Sequence, residues 1–315
     1  MRHACNGMGM DRREFLRKTG CGLAAAAAAG GPSPAPQEWA PKGERPKGNF
    51  DLVVVKGKDP SKMVTSGLDA LGALEKFIAK GDNVLIKPNI AWERTPEQAA
   101  NTNPQIVATL VKWALQAGAK SVTVTDNSVN PAEKTFPASG IQAAAEAAGA
   151  RVSHMTRYVK VPMNGRAVKE WEAYADYPSF DKVINVPVAK HHRLSQLTIC
   201  LKNYLGLVGG KRGDLHKPFE DTLSDLAAFF TGLRPTLHVV DAMKILLRNG
   251  PRGGNLEDLK ETNTICLGYA PATLDAFAAT LFGLAPDAVG HIKAAADRGL
   301  GSVDLKGLKV KELQV

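Results

Sequence analysis

Short continuous apolar runs alternate with longer stretches of helical period along most of this 315-residue chain. Residues 51–56 (DLVVVK), 83–87 (NVLIK), 121–125 (SVTVT), 182–186 (KVINV), 237–240 (LHVV) and 264–268 have strand length, and their unbroken apolar character is that of strands covered on both faces. Residues 66–79 put Leu68, Leu71, Leu74, Phe77 and Ile78 on one helical face, and Gly81 stops them. Asn103 as N-cap and Pro104 in the first turn open a helix that runs to about residue 117. Further helices are predicted over 139–148, 222–231, 271–282 and 291–298, with an edge strand over 308–313. The strand–helix–strand order predicts an α/β fold, a mostly parallel sheet with helices on both faces. Residues 155–180 have no clear period, and residues 51–315 would divide there if they form two lobes.

The first fifty residues follow a different pattern. Residues 11–18 (DRREFLRK), followed by 19–30 with a six-alanine run, match a twin-arginine export signal in Arg12-Arg13, Phe15-Leu16 and a mildly apolar stretch. A short basic amphipathic helix is the alternative. Met10, directly before the pattern, is a second candidate start. Residues 1–30 are thus expected to be a signal peptide that engages the twin-arginine translocase and delivers the protein to the periplasm or another extracytoplasmic space. Residues 31–50, with Pro32, Pro34, Pro36, Pro41 and Pro46, are expected to be an extended linker. The apolar stretch at 23–29 is too short to span a bilayer, and no later stretch is long enough.

Charge and cysteine content exclude several function classes. Of the formal charge of +9, residues 1–30 carry five basic and two acidic side chains, which leaves +6 on the rest. No run of Lys and Arg with interleaved aromatics accompanies this excess, so nucleic acid is not an expected partner. Cys5 and Cys21 fall in the signal, while Cys200 and Cys266 sit among apolar residues as expected buried thiols, a disulfide between them being the alternative. Without any C-x-x-C, no iron–sulfur cluster or structural zinc site held by this chain's cysteines is expected.

Ionisable chemistry concentrates in residues 185–216 (NVPVAKHHRLSQLTICLKNYLGLVGGKRGDLH). His191, His192 and His216 fall here, and Lys190, Arg193, Lys202, Lys211 and Arg212 face a single acid, Asp214. Leu194, Leu197, Leu201, Leu205 and Val208 recur at helical spacing and predict an amphipathic helix, with Ser195, Thr198 and Lys202 on another face and Asn203 beside them. A cationic, glycine-punctuated segment of this kind suits an anionic ligand, although a solvated charged face has the same composition.

Polar residues also follow four predicted strands: Lys87 with Asn89, Asp126 with Asn127, Lys190 with His191 and His192, and Asp241. Ligands bind beyond the carboxyl ends of parallel strands, so these four sets are expected to line one pocket, though any loop after a strand is polar. The glycine-rich loop 248–254 (RNGPRGG) offers backbone N–H groups to an anion, or is a plain turn. His191, His216, Asp126 and Asp241 are the candidate metal ligands, with the identity of any cofactor open. Lys202 is the best candidate for a partly buried functional lysine, because burial lowers an ammonium's pKa.

Several ordered motifs now combine: LIKPN (85–89), NTNP (101–104), GAKSVTVTD (118–126), KHH followed by LKNYLGLVGG, VVDA with NGPRGG, and PATLDAFAATLFG. Together they resemble the domain of unknown function 362 family over roughly residues 50 to 300. The resemblance implies site residues at Lys87, Asn89, Asp126, Lys190, His191, Lys202, Asn203, Gly206, Asp241, Gly250 and Asp275. Some members carry ferredoxin-type cysteine clusters, which this sequence lacks. In layout it is also faintly similar to nickel-pincer lactate racemases.

The expected function is an exported enzyme acting on a small anionic substrate with a bound metal or organic cofactor. Lys190, Lys202, Lys211 and Arg212 would hold the anion, His191 would be the acid/base, and Asp126 and Asp241 would orient them or bind a cation. The alternative is a non-catalytic periplasmic carrier of an anionic metabolite or metallocofactor.

Overall fold

The computed structural model describes residues 39–44, 46–73, 77–216 and 218–315. The export-signal expectation lies outside the described residues, as do residues 31–38 and 45 of the expected linker. Residues 41–315 form one compact unit.

Twelve strands are described: β1 (Leu52–Lys56), β2 (Asn83–Pro88), β3 (Ser121–Val124), β4 (Arg151–Val152), β5 (Tyr158–Pro162), β6 (Glu170–Tyr174), β7 (Lys182–Val186), β8 (Val188–His192), β9 (Gln196–Thr198), β10 (Thr236–Leu246), β11 (Leu259–Gly268) and β12 (Val310–Gln314). The helices are α1 (Pro60–Leu71), α2 (Pro104–Gln116), α3 (Ala132–Ala138), α4 (Ile141–Ala147), α5 (Cys200–Asn203), α6 (Phe219–Leu233), α7 (Pro271–Leu281) and α8 (Gly290–Ala296). The main sheet runs β12-β1-β11-β10-β7-β2-β3-β4, and β8 and β9 extend from β10. Most neighbours are parallel, while β11 runs antiparallel to both β1 and β10. This is the mixed α/β architecture expected from the alternation of elements.

Alternation along the strands divides the core. Val53, Val55, Val84, Ile86, Ile184, Val186, Leu237 and Val239 join Met63, Leu68, Ile106 and Leu110 of α1 and α2 in one apolar cluster. The opposite face, with Leu85, Val183, Asn185, His238 and Val240, is equally buried. On that side α5 contacts β7, and α7 contacts β10 and β11. Asp59 caps α1 by accepting the N–H groups of Ser61 and Lys62, and Asn103 caps α2 through Gln105.

Three elements differ from expectation. The helix predicted over 194–208 is instead a hairpin followed by tight turns: β8 pairs with β10, β9 folds back on β8 with Lys190 opposite Thr198, and only Cys200–Asn203 is α-helical. The leucine spacing is therefore shared among unrelated local structures, and Leu194 is 67% exposed. Short apolar runs fit strand and helix alike, and pairing with β10 decides between them. Next, β10 does not end at Asp241 but continues to Leu246, because β11 supplies a long antiparallel partner. The 248–254 loop lies in the connection between these two strands. Finally, the first helix begins at Pro60 and is closed by Gly72 in the left-handed conformation (φ 69°). Residues 155–180 contain a separate two-stranded sheet, β5 with β6.

Candidate functional site

The parallel strands β2, β3 and β7 bring their carboxyl ends to one edge of the sheet. Lys87, one residue from the end of β2, donates from Nζ to Asn203 Oδ1 at 2.8 Å and Pro88 O at 3.0 Å, and pairs with Asp126 Oδ1 at 2.8 Å. Lys87 and Asp126 are 1% and 2% exposed, so each charge relies on its partners rather than on water. The other Asp126 oxygen accepts the Ile90 N–H at 2.7 Å. Gly206 permits this pairing: a Cβ there would lie 1.9 Å from Asp126 Oδ1 and 2.5 Å from Lys87 Nζ.

Two asparagines connect this pair to a second buried lysine. Asn203 Oδ1 also accepts from Asn89 Nδ2 (3.3 Å), and Asn89 Oδ1 accepts from Lys190 Nζ (2.9 Å). Lys190 Nζ donates in addition to Ala100 O. Asn203 Nδ2 donates to Lys87 O and to Asn185 Oδ1, and Asn185 bonds onward to Cys200 O and His238 Nδ1. Five elements, β2, β7, β8, β10 and α5, are thereby tied together around two buried lysines.

The one-turn helix α5 has no side-chain cap of its own. Asp275, from α7, takes that place by accepting the N–H groups of Cys200 at 2.8 Å and Leu201 at 3.0 Å. This fixes the turn that carries Lys202. The Lys202 ammonium lies 5.7 Å from the centre of the Phe219 ring, and no hydrogen bond or ion pair to its Nζ is found among the described residues.

These groups line a cavity of about 310 Å³, whose wall also includes Trp92, His192, Thr198, Arg212 and His216. The described wall contains four cationic side chains, Lys87, Lys190, Lys202 and Arg212, and one carboxylate, that of Asp126. Arg212 donates to the carbonyls of Asn127 and Ser128, both at 2.7 Å, and has no carboxylate partner among the described residues. Thr198 Oγ1 is buried without a hydrogen-bond partner among them.

The crowding of cations has electrostatic consequences. Burial, reinforced by Arg212 and Lys87, lowers the Lys202 ammonium to about 7, which brings the free amine within reach near neutral pH. Burial, with Lys202 adding, holds Lys190 well below the usual lysine range. Burial lowers Lys87 too, against the opposing pull of Asp126. His192 is driven down to about 2 by burial, then Lys202 and Lys190, and so stays a neutral imidazole. Its Nδ1 accepts the N–H groups of Leu194 and Ser195, which leaves the proton on Nε2. His216 has the reverse arrangement. Its Nδ1 donates to Gly213 O, so in the neutral ring Nε2 is the proton acceptor. Both rings pack beside Phe219.

Of the residues singled out from sequence, Lys87, Asn89, Asp126, Lys190, Lys202, Asn203, Gly206, Arg212 and His216 share this cavity. Five do not line it. His191 points away from the face shared by Lys190 and His192, as strand alternation requires, and its Nδ1 accepts the Gly250 N–H. Gly250 packs against the His191 carbonyl, while its neighbour Pro251 reaches the wall. Lys211 is exposed. Asp275 stands behind α5, and burial raises its carboxyl to about 7. Asp241, in mid-strand, lines a different cavity of about 500 Å³ together with Lys58, Asn103 and Asn263. It accepts the N–H groups of Asn103 and Met243, and burial raises it to about 6.

The four candidate metal ligands are therefore not gathered. Among the described residues no group of three or more His, Cys, Asp or Glu side chains is placed to hold a metal ion. Cys200 and Cys266 are free and buried. Sequence reasoning places His192 in a set expected to line the pocket and Thr198 on the stripe with Lys202 but gives neither a role, and it does not single out Trp92 or Asn185. Once residues 188–192 are a strand, its period of two puts His192 on the Lys190 face, so the signal for His192 lay in an element read as something else.

A family model described as a domain of unknown function (DUF362) matches residues 84–280, well over half of the chain. The chain belongs to the DUF362 family. The matched region runs from β2 to the end of α7 and contains all the residues that line the cationic cavity. A thylakoid-associated protein of Synechocystis is 24% identical over 219 residues, covering 67% of this chain and 64% of that protein. The chain thus spans a little under two thirds of that relative. A solved protein from Thermotoga maritima aligns with 12% identity and a TM-score of 0.41, over 77% of this chain and 60% of the other.

Proposed function

We propose that this DUF362 protein is an enzyme acting on a small anionic substrate bound in the cavity at the carboxyl ends of β2, β3 and β7. The observation that carries the reading is the imbalance of ionisable groups: four basic side chains line about 310 Å³ with one carboxylate, and that carboxylate is already paired with Lys87. Confined charges of one sign repel each other, and an anion placed among them relieves the repulsion. Arg212 and Lys190 provide the fixed donors. Lys202 is the reactive amine, and His216, with its Nε2 open, moves the proton. His192 donates a neutral hydrogen bond from Nε2–H, and His191 has no part in the chemistry.

Export through the twin-arginine translocase to the periplasm belongs to the same proposal, on the Arg12-Arg13 pattern. No helix among the described residues is long and apolar enough to cross a membrane. Replacing Arg12 and Arg13 with lysine and fractionating the host cells tests export: retention in the cytoplasm supports it, and unchanged distribution removes it.

Native mass spectrometry of the protein purified from its host, with wild type and Arg212→Gln compared, tests the site. A retained anion present in wild type and lost in the variant is the expected result. Turnover of that anion lost in Lys202→Met, with binding kept in Lys202→Arg, favours the enzyme. Binding without turnover makes the protein a carrier.

A further inference from the structure

We propose that the substrate is a small anion bearing an aldehyde or ketone group, and that Lys202 attacks its carbonyl carbon to form an imine. The inference rests on the anion site above and specifies what occupies it.

Three geometric facts single out nucleophilic use of this amine. First, Lys202 is the cavity lysine with no hydrogen-bond acceptor on its Nζ among the described residues, whereas Lys87 and Lys190 are each tied to carbonyl or carboxylate oxygens. An ammonium that served only to hold an anion needs no such freedom. A nucleophile needs a lone pair unengaged and a side chain able to advance. Second, the groups around it supply cations and an aromatic ring rather than acceptors, the setting in which a lysine loses its proton near neutrality. Third, the same wall offers hydroxyl and imidazole donors suited to a carbonyl oxygen. Thr198 Oγ1 is buried and unpartnered among the described residues, and His192 keeps its proton on Nε2. A carboxylate or phosphate held by Arg212 and Lys190 needs neither.

The step balances without a further reagent. The Lys202 lone pair forms a C–N bond as the carbonyl π bond breaks, and the oxygen takes a proton to become the hydroxyl of a carbinolamine. That proton and the one needed to expel the hydroxyl as water both come from Nζ, the second carried by His216, and the nitrogen lone pair then closes the C=N bond of the imine. The cations beside it then stabilise negative charge that develops on the neighbouring carbon.

Reductive trapping on the full protein provides the test. Glyoxylate, an anionic aldehyde, is incubated with the protein and cyanoborohydride at about pH 7, and the carboxymethylated lysines are mapped by peptide mass spectrometry. Acetaldehyde is the uncharged control and inorganic phosphate the competitor, with thermal shift reporting phosphate binding separately. Lys202 is expected to react roughly 30-fold faster than surface lysines, since its much larger free-amine fraction outweighs its lower basicity. Phosphate should suppress that reaction, and acetaldehyde, which gains from the free amine but not from the surrounding cations, should show a clearly smaller preference for Lys202. The Arg212→Gln variant should lose the advantage of glyoxylate over acetaldehyde. Equal preference for both aldehydes overturns the proposal, as does an unlabelled Lys202 in a protein that phosphate still stabilises; in that case the anion site stands and the imine falls. Absence of both labelling and phosphate stabilisation removes the anion site as well.

Discussion

The Asp275 carboxylate receives the backbone N–H of Leu201 at 3.0 Å, and that of Cys200 beside it, from a helix 75 residues away in the chain. A single helical turn has too few internal hydrogen bonds to stand alone. The aspartate therefore sets the direction of the turn that presents Lys202 and Asn203. Asp275→Asn keeps one acceptor oxygen and loses the other. The expected cost is about 1–2 kcal/mol of stability, with ligand affinity reduced although the residue never touches the ligand. Chemical denaturation and calorimetric titration with inorganic phosphate check the two effects separately.

Gly206 gives the most sensitive packing position in the site. Alanine there pushes Asp126 away from Lys87, and breaking a buried ion pair costs about 3–5 kcal/mol. Gly206→Ala should unfold at markedly lower denaturant than wild type, and Asp126→Asn should do so to a similar degree. A Gly206→Ala protein as stable as wild type would mean that the pair tolerates separation.

The buried acids predict an unusual pH dependence. Asp241, raised to about 6, and Asp275, raised to about 7, bind protons more tightly folded than unfolded. Their contribution is complete below the unfolded carboxylate pKa of about 4 and is lost as pH rises through their folded values. Asp241→Asn should flatten the part of the curve between about pH 4 and 6 while leaving the part that belongs to Asp275. Urea denaturation across that range is the measurement.

Lys202 has the opposite sign of shift for a cation, so the unfolded chain binds its proton more tightly. Stability should therefore rise as pH increases from about 7 toward the ordinary lysine value of 10.5. Lys202→Met should lose part of this rise and should be no less stable than wild type at neutral pH, because it removes a crowded cation. A Lys202→Met protein much less stable than wild type would show that the side chain holds the fold rather than the ligand.

Much of this fold was legible because its parallel strands are short, apolar and separated by helices with plain caps such as Asn103-Pro104. The strand ends then pointed to Lys87, Asn89, Asp126 and Lys190. What escaped were facts settled by partners distant in sequence. Periodicity alone does not reveal that residues 188–192 pair with β10 rather than form the loop after the preceding strand, and this difference puts His192, not His191, on the Lys190 face. Likewise Asp241 read as the end of a strand until β11 extended that strand beyond it. The cap on α5 comes from residue 275, so local sequence gave no sign of it.

Lys202 sits beside Lys87, Lys190 and Arg212 in a cavity with a single carboxylate. Heteronuclear NMR titration of the lysine side-chain amines, with the Lys202 signal assigned through Lys202→Arg, reports this directly in the presence and absence of inorganic phosphate. The midpoint is expected near about 7 without phosphate, and higher by roughly one unit or more when the anion is bound. A midpoint in the ordinary lysine range, unmoved by phosphate, would contradict the account.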